Sequence, residues 1–161
     1  MSFRTLKSWV SDMARTRIHH FEGFSVKKAG IDIKLDMSRV EGNFNQAQYV
    51  LDSVVMTSMV PYMPRRDGWF INRTRAESAA IAGTGEVVAA SAPMGRFLYE
   101  GKVMVDPVTK SAWAKKGAQK ILTSKSLKYS SPKARAHWFD AAKERYCDNW
   151  VRVVKKNAGG G

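Results

Sequence analysis

Cysteine is almost absent from this chain, with Cys147 the one thiol among 161 residues. A single thiol excludes an intrachain disulfide, a CxxC redox pair and a zinc site built on cysteine pairs. Histidine is scarce too, limited to His19, His20 and His137. Cys147 and His137 lie ten residues apart, which on one helix is about 15 Å by rise, too far for a nucleophile to meet its base. The adjacent His19 and His20 have no further Cys, His or carboxylate at ligand spacing and read as part of a polar linker. Gly83-Thr-Gly85 lacks the third glycine and the Lys-Ser/Thr pair of a phosphate loop, and reads as a hairpin turn. No enzyme, cofactor or metal is expected from these residues. Long apolar runs are lacking as well. The segment Met1 to Trp9 has no signal-peptide core, and no window approaches the roughly 20 apolar residues of a membrane span. The expectation is a protein made in the cytoplasm with no membrane partner.

Acidic side chains are the next scarcity: 14 Asp and Glu stand against 27 Lys and Arg, a formal net charge of +13. The imbalance is uneven. Residues 1 to 101 carry 13 basic and 10 acidic side chains, whereas residues 102 to 161 carry 14 basic and 4 acidic. A field of this sign attracts polyanions or acidic neighbours. Trp113 beside Lys115 and Lys116, Tyr129 beside Lys128, and Trp69 after Arg65 and Arg66 would suit base stacking. No RRM, KH, helix-turn-helix or zinc pattern accompanies them, so incidental aromatics on a basic surface are the better reading.

What is present is enough apolar residue, 44% of the chain, to build one core. Phe3, Leu6, Val10 and Met13 fall at helical spacing among Arg4, Lys7, Arg15 and Arg17. The spacing predicts a basic amphipathic helical arm, followed by a glycine-bounded linker over residues 19–30. Ile31, Ile33, Leu35 and Met37 alternate with charged residues, as in a strand with one buried face. Phe44, Ala47, Leu51, Val54 and Val55 share a helical face over about 41–59, closed by Pro61 and Pro64. Residues 68–91 read as strands of an antiparallel meander around the turn at Gly83 to Gly85. Met94 to Gly101 reads as a short glycine-ended helix, and Lys102 to Lys110 as a strand and a turn at Asp106-Pro107. The stretch from Ala112 to Tyr129 reads as a basic loop or hairpin. Ser131 as N-cap and Pro132 at the first helical position open a last helix to about residue 155, whose Phe139, Ala142, Tyr146, Trp150 and Val153 share a face. The fold class expected is α+β: a small antiparallel sheet, a long helix after the first strand, a C-terminal aromatic helix and the N-terminal arm. The expected division is an arm and linker over 1–28, one domain over 29–156 and a flexible tail over 157–161.

These pieces occur in a characteristic order. A strand and helix over 31–60 lead to Pro61-Tyr-Met-Pro64 and Arg65-Arg-Asp-Gly68. A turn and strand end in Ser91-Ala-Pro93, before Met94-Gly-Arg-Phe-Leu-Tyr-Glu-Gly101. The closing section is Pro132-Lys-Ala-Arg-Ala-His-Trp-Phe-Asp-Ala-Ala-Lys143, with Trp150 beyond it. From about Ile31 to Lys155 the chain resembles the minor capsid protein family of tailed bacteriophages, small proteins of the neck or head-to-tail joining region. The closing section carries most of the likeness, and residues 1–28 fall outside it.

The resemblance implies an α+β structural protein of the virion, in the host cytoplasm before assembly. It implies a homo-oligomeric ring around the DNA channel, with portal-side adaptor and tail proteins as partners. A ring subunit meets its copies head to tail and so needs two different complementary surfaces. Candidate interface residues are Trp138, Phe139, Tyr146 and Trp150, together with Asp32, Asp36, Arg96, Tyr99 and Glu100. The aromatics among them serve equally as core, and the sequence leaves the two roles open. The acidic segment with Asp32, Asp36, Glu41 and Asp52 is one candidate half of the contact. Lys110, Lys115, Lys116, Lys120, Lys125 and Lys128 are candidates for packaged DNA or an acidic neighbour, and Phe3, Leu6, Val10 and Met13 for docking the arm. Two alternatives stay open: a tail-completion or tail-terminator protein of the same stack, and a free-standing, sequence-independent nucleic-acid-binding protein.

Overall fold

A computed structural model describes residues 19–159. The N-terminal arm expected at 2–17 lies outside the described residues. The chain is a mixed α+β fold, and the described residues form two separate two-stranded antiparallel sheets, where one sheet was expected. The element order is β1 (Phe24–Lys28), β2 (Ile31–Leu35), α1 (Ser38–Met59), a 3-10 turn (Val60–Tyr62), α2 (Trp69–Ala80), α3 (Gly95–Glu100), β3 (Lys102–Val105), β4 (Ile121–Ser126) and α4 (Trp138–Ala158).

The chain divides into two compact units. The first takes residues up to Val55, Ser78–Val87 and the chain from Cys147 onward; the second takes Met56–Glu77 and Val88–Tyr146.

In the first unit, β1 occupies part of the segment expected as a linker. Phe24 and Val26 alternate with Ser25 and Lys27, and Ala29-Gly30 closes the hairpin with both residues at positive φ, 53° and 79°. That is the backbone a two-residue hairpin loop requires. β1 pairs with β2 in the register Phe24↔Leu35, Val26↔Ile33 and Lys28↔Ile31. The expected strand is therefore present, but the expected buried face is not, since every residue of both strands is exposed. The Asp36 carboxylate accepts the Ser38 N–H at 2.9 Å and opens α1. This hydrogen bond and one from the Ser38 side chain, with Lys34 nearby, hold the Asp36 carboxyl below its ordinary value of 3.8. Of the face expected on this helix, Ala47 and Val55 are buried and Phe44, Leu51 and Val54 half-buried.

In the second unit the expected strand after Gly68 is helix α2. Asp67 caps it by accepting the Trp69 N–H at 3.0 Å. Phe70, Ile71 and Thr74 are buried, a one-and-four spacing whose third member is polar; this hides the helical period from a pattern of apolar residues. Thr74 donates to the Phe70 carbonyl at 2.8 Å and accepts the Ser91 N–H at 3.3 Å. No strand forms over residues 86–91, because here side chains, and not a neighbouring strand, satisfy the backbone.

α3 and β3 stand where expected. Gly101 ends α3 in the left-handed region, φ 64°, with its N–H returned to the Leu98 and Phe97 carbonyls. α4 begins at Trp138, not at Pro132. Ser131 closes only a turn, accepting from Ala134 N–H at 3.1 Å. Arg135 then donates its N–H to Tyr62 and His137 its N–H to Tyr99. Those tertiary bonds remove the backbone from helical pairing for one more turn, so a sound local cap loses to them.

Candidate functional site

The six candidate lysines gather on one element, the β3–β4 hairpin and its flank. Lys110, Lys115, Lys116 and Lys120 lie on the connection between the strands, Lys125 lies in β4 and Lys128 just beyond it. The connection is pinned at its root. The Asp106 carboxylate accepts the Val108 and Thr109 N–H groups at 2.8 and 2.9 Å. Its backbone N–H reaches the Ser111 carbonyl at 2.8 Å, and its carbonyl accepts from Lys110 at 3.0 Å. The Asp106-Pro107 pair thus builds the expected turn. The Thr109 and Val108 N–H groups hold the Asp106 carboxyl below 3.8.

Beyond that turn, Lys120 donates its ammonium to the Ala112 carbonyl at 2.8 Å and braces the loop. It is a structural tie, unlike its neighbours. Lys110, Lys115, Lys116, Lys125 and Lys128 are exposed, and none forms an ion pair among the described residues. Trp113 stands between them at 88% exposure and Val108 at 86%, the two highest values among the exposed large hydrophobic residues. An exposed indole flanked by unpaired ammonium groups can stack on a planar group and neutralise phosphate or carboxylate.

The aromatic ending resolves into two roles. Trp138 has no exposed surface. Its indole N–H donates to the Ala89 carbonyl at 2.8 Å, and its ring meets Tyr99 and Phe70 edge-on at centroid distances of 4.8 and 6.0 Å. Trp150 is buried as well. Of these two interface candidates Trp138 is core, because a side chain without surface cannot reach a neighbour, while Trp150 keeps 7% of its surface. Phe139 and Tyr146 are half-buried, with the Arg145 guanidinium 5.8 Å from the Tyr146 ring. Arg96 is exposed, while Tyr99 and Glu100 are half-buried. His137 faces Glu100 at 3.7 Å and Asp140 at 4.0 Å. Burial, then the carboxylates of Asp140 and Glu100, push the Tyr99 phenol above its ordinary 10.0.

The acidic half of the expected contact is also divided. Asp32 is exposed and paired with Lys27 at 3.1 Å, and Asp36 caps α1. Asp52 is buried, 3% exposed, and accepts from Gly83 N–H at 2.7 Å, Gly85 N–H at 3.2 Å and Gln48 at 2.7 Å. Glu41 is buried and meets His20 at 3.1 Å. Asp52 and Glu41 are therefore internal partners and not surface charges. The turn at Gly83 to Gly85 exists, but it joins no strands and instead wraps a carboxylate.

Sequence reasoning missed a cleft of about 340 Å³ in the second unit. Phe70, Met94, Phe97 and Leu98 contribute apolar lining, with Arg65, Arg66 and Lys128 among its residues. The expected α3 and the unexpected α2 both contribute to it, so placing α2 as a strand hid it. Among the described residues no group of three or more His, Cys, Asp or Glu could hold a metal, and no helix is long and apolar enough to cross a membrane. Cys147 is exposed. No family model matches the chain, and no match was found among curated proteins or solved structures.

Proposed function

We propose that this chain is a structural subunit of a tailed-phage neck, one of several copies in a ring between capsid and tail, acting without turnover. The observation that carries the reading is the basic β3–β4 hairpin, which presents Lys110, Lys115 and Lys116 around Trp113 on a loop whose single acidic residue, Asp106, is turned inward to its own backbone. Such a loop suits phosphates of passing DNA or an acidic face of a neighbour. The resemblance of residues 31–155 to minor capsid proteins is what suggests that location. Contacts to DNA would be to phosphate and independent of sequence.

Portal-side adaptor and tail proteins are the proposed partners, with a tail-completion role in the same stack as the near variant. A free-standing nucleic-acid-binding protein is the second reading, favoured by the exposure of Trp113 among lysines. Cryo-electron microscopy of purified virions separates them. A closed ring of this chain between portal and tail is the expected result. Absence from the particle, with steeply salt-dependent DNA binding by the purified monomer, would replace it with the second reading.

A further inference from the structure

The β1–β2 hairpin leaves a whole apolar face open. Its register sets Phe24 opposite Leu35, Val26 opposite Ile33 and Lys28 opposite Ile31, so five large apolar side chains stand on one side of the pleat. Their exposures are 55% for Phe24, 48% for Val26, 62% for Ile31, 56% for Ile33 and 43% for Leu35. The opposite side carries Ser25, Lys27, Asp32 and Lys34, with Lys27 and Asp32 paired at 3.1 Å. One side is built for water and the other is not. A lone two-stranded hairpin is marginal in water without a layer on its apolar face. A contiguous patch of this kind, on the order of a few hundred Å², marks a binding surface.

We propose that the occupant is the N-terminal segment of the same chain, residues 2–17. Placed on a helical wheel, Phe3, Leu6, Trp9, Val10 and Met13 fall within an arc of about 120°, Arg4, Lys7 and Arg15 fall outside it, and Arg17, one turn past the stripe, falls within it. The segment therefore carries an apolar stripe in want of a face, next in sequence to a face in want of a stripe. From Phe3 to Met13 a helix rises about 15 Å, and a five-residue strand runs about 17 Å. The attachment point is fixed. The His19 carbonyl accepts from Asn45 at 3.2 Å, and the Phe21 ring meets Phe44 edge-on at 5.2 Å. The five residues 14–18 between the stripe and that attachment reach up to about 18 Å, comparable to the length of the hairpin strands. So short a tether holds the segment at an effective concentration near millimolar, which favours this chain's own segment over a second copy's.

The test uses the full chain. In a Cys147→Ser background, Leu6→Cys is combined with Val26→Cys, and separately with Ile33→Cys, and each is oxidised mildly at micromolar concentration. An intrachain disulfide, in a yield independent of protein concentration, is expected. Hydrogen exchange at the amides of residues 24–35 is measured in parallel. Leu6→Asp and Val10→Asp should speed it at least tenfold, and Ser8→Asp, on the far side of the wheel, should leave it unchanged. Crosslinks only between chains would transfer the face to a second copy and overturn the proposal. So would exchange indifferent to Leu6→Asp and Val10→Asp, which would leave the face to a different partner. Neither readout involves the virion, so the outcome is independent of the neck reading.

Discussion

Asp52 fixes the 83–85 turn by accepting its two glycine N–H groups at 2.7 and 3.2 Å. Removing a buried acceptor strands its donors, and the cost is the desolvation of each. Asp52→Ala should therefore lower unfolding free energy by about 2–4 kcal/mol, read as a fall in the denaturant midpoint at unchanged slope. Asp106 acts through pH. Its carboxyl lies below 3.8 in the folded chain because the Thr109 and Val108 N–H groups favour the charged form. A depressed carboxyl contributes stability that is present above its unfolded value and is lost as pH falls through its folded one. The β3–β4 connection should accordingly loosen as pH drops below 3.8. Asp106→Asn retains an acceptor but cannot titrate, so its stability between pH 5 and 3 should fall less steeply than that of the parent. Equal acid slopes for the two proteins would sink the idea.

Among the elements, α3 and α4 meet through Gly101 and Trp138. A Cβ at Gly101 would lie 2.7 Å from the Ala136 Cβ, at a backbone φ of 64°. Crowding and left-handed strain act together, so Gly101→Ala should cost about 2–3 kcal/mol, where the same change at an open glycine costs under about 1. Trp138→Ala removes a fully buried indole and should cost about 3–5 kcal/mol in thermal or denaturant unfolding. Trp138→Phe retains packing area but strands the Ala89 carbonyl, and should fall between. The same elements show what sequence pattern can and cannot supply. α1 and α3 were legible because an apolar stripe and a terminal glycine are local signals. α2 was not, because Thr74 and Ser78 occupy buried positions. β1 was overlooked beside a glycine although its alternation was present, and the start of α4 was misplaced because Tyr62 and Tyr99 outbid a local cap.

For the whole molecule, charge is the property to perturb. Lys115→Glu with Lys116→Glu reverses two exposed charges on the β3–β4 connection without touching the Asp106 turn or the Lys120 brace. On the neck reading the double variant should fold normally, assemble poorly into rings and lose most of the salt sensitivity of assembly. Sedimentation across a salt series measures it, and unchanged assembly at every ionic strength would remove the hairpin from the contact. On the same reading, the acidic surface available to meet it is narrower than the sequence suggests, since Asp52 and Glu41 are buried.

The sequence by itself determined the α+β class, the long helix after the strand that begins at Ile31, the glycine-ended α3 and the basic bias of the last sixty residues. Each follows from local periodicity, local turn chemistry or composition, which need no knowledge of what lies far along the chain. Only the tertiary structure decided that Trp138 is core, that Asp52 and Glu41 are internal and that the apolar side chains of β1 and β2 are exposed among the described residues. Those outcomes depend on partners tens of residues away, as Asp52 with Gly83 and Trp138 with Ala89. Burial and hydrogen bonding are properties of the folded neighbourhood, and the same Asp or Trp is surface or core according to what the chain brings beside it.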